Sequence, residues 1–176
     1  MDVATVIGEL LQSSWELENV SMAYGCATVY IDLPKLSFRY DEFDPKSPEL
    51  QILIENYPAR STWIIGGFYR IEHGVRISLY QKLIQYRPIQ VNGYSFNAMD
   101  VYRKIWYSVK HEIDRILIKH KYTVGDIISI TNGIWTDILP TIAVGRGIKT
   151  TSEPIVWRTE QVITLLYYEN IQLTSD

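Results

Sequence analysis

The chain has 176 residues, 47% hydrophobic and 21% charged, with a formal net charge of −3. That length fits one domain with a sizeable core, and a mildly acidic chain of pI near 5.6 does not read as a general nucleic-acid binder, which carries a basic face. A single cysteine, Cys26, excludes an internal disulfide and reads as a packed thiol of a reducing compartment.

Thirteen Tyr and five Trp are amphipathic rings of the kind that suit interfaces, although a plain bias of composition gives the same counts. No basic-plus-apolar leader opens the chain, and no apolar run approaches the ~20 residues that span a bilayer. The expectation is a protein made and kept in the cytoplasm.

Val3, Val6, Ile7, Leu10 and Leu11 recur at helical spacing with Glu9 and Gln12 between them, which predicts a short helix docked on a sheet. Asp2 stands where a carboxylate caps a first turn. Residues 28–33 alternate as a strand that Pro34 stops. Residues 41–49 hold four acids, one Lys and two prolines, the composition of a solvated loop. Ile52, Leu53 and Ile54 form an apolar run typical of a strand buried on both faces, closed by Pro58. Residues 68–82 read as a hairpin turning at His73-Gly74.

A connector with Pro88 and Gly93 leads to the strongest signal, a helix over residues 97–120. Asn97 is its N-cap, with Asp100 in the first turn. Met99, Tyr102, Ile105, Trp106, Val109, Ile113, Ile116 and Leu117 make its apolar stripe. Arg103, Lys104, Lys110, Glu112, Asp114 and Arg115 fall largely on the other face. Residues 127–130 and 161–169 read as strands. Between them, residues 131–158 carry three glycines and two prolines, a long loop of the kind that usually carries function or is disordered. The fold class expected is α+β: an antiparallel or mixed sheet with an N-terminal helix and one long amphipathic helix packed on one face. A single domain is expected, with long loops at 41–49, 83–96 and 131–158.

No constellation carries visible chemistry. His111 and His120 lie about 13 Å apart on their helix at 1.5 Å per residue, too far to share a metal. Residues 145–150, Gly145 to Thr150, lack the glycine spacing of a phosphate loop and read as a basic loop tip. Asp44-Pro45-Lys46 has local nuclease spacing but sits in a proline-broken loop. No catalytic residue, cofactor or metal site is named.

The order of elements does carry a resemblance. A short helix, strands, the segment Glu72-His73-Gly74-Val75-Arg76-Ile77-Ser78-Leu79, the long helix from Val101-Tyr102-Arg103 to Ile116-Leu117, and a last strand after Arg158-Thr159-Glu160 follow one another. Over roughly residues 2–170 this resembles the tail terminator and head–tail joining proteins of tailed bacterial and archaeal viruses. The resemblance implies a non-enzymatic virion protein of the tail–neck junction, assembled in the host cytoplasm as a homo-oligomeric ring, commonly a hexamer. Its partners would be the tail tube protein and the neck or connector proteins, with DNA passing through the lumen without specific binding, and no membrane. Trp135, Arg146, Lys149 and Trp157 are the candidate contacts to a neighbouring subunit or the tail tube, chosen for their aromatic and basic character in the long loop. The alternatives are a head-completion or connector protein of the neck, a small metal-dependent nuclease with an unrecognised site, and a cellular binding module.

Overall fold

Strand β5 (Phe68–Lys82) is the middle of the molecule. It pairs antiparallel with β4 (Leu50–Ile65) on one edge and with β10 (Val156–Asn170) on the other. The short β3 (Leu36–Arg39) adds parallel to the start of β4, while β8 (Ile127–Thr131) and β9 (Thr136–Ile138) pair with successive parts of β10. The result is a mixed, mainly antiparallel sheet in the order β3-β4-β5-β10-β8, with β9 beside the start of β10. A computed structural model provides these coordinates and describes residues 2–83, 87–122, 124–138 and 156–170.

Side chains alternate along a strand, and here the alternation sorts one dry face from one mixed face. Ile52 and Ile54 of β4, Val75, Ile77 and Leu79 of β5, and Ile163 and Leu165 of β10 are all fully buried on the first. Helix α1 (Val3–Ser13) and helix α2 (Ala98–Lys119) join these residues in one core cluster, α1 through Val3, Ile7 and Leu11, α2 through Val109, Ile113, Ile116 and Leu117. Each such side chain contributes roughly 1.5–3 kcal/mol on leaving water. A hairpin of β1 (Asn19–Tyr24) and β2 (Ala27–Asp32) adds Val20, Val29 and Ile31 to the core. A second hairpin, β6 (Ile89–Val91) and β7 (Tyr94–Phe96), meets the first through Tyr24, whose ring lies 5.0 Å from Tyr94 and 5.6 Å from Phe96. The α+β class with both helices on the sheet is therefore as expected.

The hairpin predicted at His73-Gly74 is not there. β5 runs straight through both residues, and the turn lies at Gly66-Gly67, where φ is +60° and +83°. Positive φ at both central residues is what a type I′ two-residue hairpin loop demands. Gly74 serves a different need: it pairs with Tyr57 on β4, and a Cβ on it would stand 2.9 Å from the Tyr57 Cβ. Pro58 does not close β4, because the ladder steps over it from Tyr57 to Ala59 as a bulge, where its missing N–H costs nothing.

Other expectations also change. Cys26 is exposed in the β1–β2 turn rather than packed. The connector 83–96 contains the β6–β7 hairpin, turning at Asn92-Gly93, and 131–158 contains β9 and the start of β10. Asp2 makes no side-chain cap on α1. Asn56 of β4 does it instead, its Oδ1 accepting from the Ala4 N–H at 3.1 Å while its Nδ2 donates to Asp2 at 3.0 Å. On α2, Asn97 caps as predicted, accepting from the Met99 N–H at 2.9 Å.

Lys110 and Glu112 are buried, not on the solvent face of α2. Glu112 is the clamp between α2 and the segment leaving α1. Arg115 donates to it from Nε at 2.7 Å and Nη2 at 2.8 Å, and the Glu16 N–H donates at 2.9 Å. Arg115 also donates to the Ser14 carbonyl at 3.1 Å. These donors make the site intelligible, since a buried carboxylate persists only when paired.

Two outcomes are expected. Gly74→Ala loses about 1–3 kcal/mol of unfolding free energy in urea, and Tyr57→Gly in the same chain, which removes the opposing Cβ, relieves the clash; an unaffected Gly74→Ala would contradict the close approach. Arg115 holds the Glu112 carboxyl below its ordinary value, against the opposing push of burial. The clamp's contribution is therefore complete above the unfolded value of 4.5 and is lost as pH falls through the lower folded value. The stability gap between wild type and Glu112→Gln should shrink on acidification from about pH 6 to pH 3; a pH-independent gap would count against the clamp.

Candidate functional site

Two surfaces stand out, at opposite ends of β10. The first is a cavity of about 220 Å³ where the first half of α2 meets β9 and the start of β10, lined by Arg103, Trp106, Tyr107, Asp137, Ile138, Trp157 and Arg158. Helical spacing brings Arg103, Trp106, Tyr107 and Lys110 to neighbouring positions on α2. Strand alternation turns Trp157 toward the helices and the Arg158 side chain to the far face of the sheet, where its guanidinium stands 5.4 Å from the Tyr80 ring centre.

Trp106 and Trp157 meet edge to face, 5.9 Å between ring centres at 74°. The Lys110 ammonium lies 4.9 Å from the Tyr107 ring centre and 5.9 Å from that of Trp106. It donates to the Asp137 Oδ1 at 3.2 Å. Lys110 is thus a buried cation satisfied by one carboxylate and two aromatic faces. The open remainder of the cavity presents aromatic surface rimmed by Arg103, whose partner Asp100 is 3.8 Å away with both side chains 61% exposed. Beside Trp157, across the ladder, Gln81 is 2% exposed and neither end of its amide finds a partner among the described residues.

The second surface is the far end of the sheet. Every described side chain of residues 56–64 is exposed, Asn56 at the near end holding the start of α1. Tyr57, Trp63, Ile64, Phe68 and Tyr168 are large apolar side chains left between 44% and 61% exposed there. By register, Trp63 lies opposite Tyr69 and Tyr69 opposite Glu169. These three share one face and form a row across the arm.

Of the residues singled out in the sequence, Trp157 lines the cavity. Trp135 is turned inward, its indole N–H donating to Asp114 at 3.0 Å and 3.1 Å, and Gln161 donates to the same carboxylate at 3.1 Å. Arg146 and Lys149 lie outside the described residues, as does the rest of the loop tip 145–150. Sequence reasoning did not single out Trp106, Tyr107, Lys110 or Asp137 as a group. The spacing on α2 was legible, but the approach of Asp137 depends on β9, whose three residues give no pattern. Among the described residues no three His, Cys, Asp or Glu come together as a metal site. Nor is any described helix long and apolar enough to cross a membrane.

The chain matches no protein-family model, and no curated protein matches it significantly.

Among the described residues, removing Asp137, the acid paired with Lys110, leaves a buried cation with ring faces beside it. Asp137→Ala is expected to lose about 1–3 kcal/mol in urea unfolding, and Lys110→Met in the same chain to recover most of the loss. A neutral Asp137→Ala would mean that the rings and water suffice for Lys110.

Proposed function

We propose that this protein is a structural subunit of the tail–neck junction of a tailed virus, assembling as a closed ring that ends the tail tube and meets the head connector. The observation that carries the reading is the uncovered arm formed by the far ends of β4, β5 and β10. A ribbon exposed on both faces with Tyr57, Trp63, Ile64, Phe68 and Tyr168 standing out is costly for an isolated monomer and suits a surface buried on assembly.

Other features agree with the role. A ring subunit needs two different surfaces that fit each other, and this chain has an aromatic projection at one end of β10 and an aromatic cavity at the other. A net charge of −3 suits a passage through which DNA slides, because phosphate contacts drive non-specific affinity. Tail tube and connector proteins would then cover the two flat sides of the ring, and DNA would pass through its lumen.

Light scattering on the purified chain across a concentration series, with negative-stain images of the same fractions, tests the reading. Closed rings with a central hole are the expected result. A protein that stays monomeric at every concentration and in the presence of tail tubes contradicts it.

A further inference from the structure

We infer that the contact between copies is head to tail: the Trp63–Tyr69–Glu169 row on the arm of one subunit docks into the Trp106–Tyr107–Trp157 cavity of the next. The inference rests on the ring reading and names the surfaces that would close it.

Size favours a side chain as the occupant. About 220 Å³ is smaller than the ~300–1,000 Å³ of ordinary small-molecule sites, and it matches the kind of pocket that takes one aromatic anchor at an interface. Trp63, 61% exposed near the hairpin tip, is such an anchor. Two tryptophans already set edge to face, with Tyr107 beside them, offer ring edges and faces to a third indole.

Charge supports the same match. Glu169 ends the row and has no cation within ion-pairing distance among the described residues. Arg103 stands at the cavity rim, its ion pair among the described residues being a long, exposed contact to Asp100. With the indole seated, an acid on one copy meets a base on the other, which fixes orientation more than it adds affinity.

Geometry then decides the topology. Trp157 and Glu169 lie near opposite ends of β10, roughly 40 Å apart at ~3.3 Å per residue. No subunit can fill its own cavity with its own arm. A surface that fits a different surface on an identical neighbour makes a heterologous contact, which closes as a ring or runs on as a filament.

The test is charge reversal at exposed residues, where folding is not at risk, read by light scattering on the full chain. Glu169→Arg and Trp63→Ala should each raise the concentration needed for assembly about tenfold or more. Arg103→Glu added to Glu169→Arg should restore assembly, while Arg103→Glu alone should weaken it. If wild type assembles and all these variants assemble equally well, the inference is overturned while the ring reading stands. If wild type assembles and the Arg103→Glu, Glu169→Arg chain stays as weak as Glu169→Arg, the pairing of these two surfaces is likewise overturned. If wild type never assembles, alone or in the presence of tail tubes, both fall together.

Discussion

Strand β5 is hydrogen-bonded along its length on both edges, to β4 and to β10, and the rest of the molecule is arranged around what that ladder allows. At ~3.3 Å per residue, three strands of this length are longer than two packed helices can cover. α1 and α2 bury the stretch from Leu79 to Ile71 on β5 and from Gln161 to Tyr167 on β10. Beyond it Tyr69 is still partly buried against the core, and the rest of the ladder carries mostly exposed side chains. The same pairing that organises the core therefore creates the arm.

The two ends of β10 are chemically unlike. At its start, Trp157 packs on Trp106, and Lys110 is held by Asp137 and two rings, so contacts between elements set the cavity wall. At its end, Tyr168 and Glu169 stand in water beside Phe68 and Tyr69. Rigid cavities and exposed aromatic projections are the usual halves of an interface hot spot. Here both belong to one chain, at opposite ends of one strand.

Much of the fold was legible. α2 was readable because its stripe spans six turns and its cap is an Asn, and residues 161–169 of β10 because they are rich in β-formers. The hairpin was misplaced because His73-Gly74 looks like a turn to any local rule, whereas Gly66-Gly67 follows Ile64-Ile65 with no alternation to announce it. Gly74 is glycine for the sake of Tyr57 across the ladder, and no spacing along the chain reports a cross-strand contact. Lys110 and Glu112 were placed outside for the same reason. Their partners, Asp137, Arg115 and the Glu16 amide, come mostly from other elements. The aromatic excess was visible at once, but which rings face water depended on where the helices stop.

The central claim is that the arm is solvent-exposed only in the separated subunit and becomes buried between copies. Backbone hydrogen exchange of residues 57–64 and 166–170, followed from dilute to concentrated protein, measures this directly. The account predicts fast exchange in dilute solution and protection that grows with concentration in these segments, with α2 around Arg103 and Tyr107 protected in parallel. Exchange in the arm that stays the same at every concentration, while the particle mass rises, would contradict it.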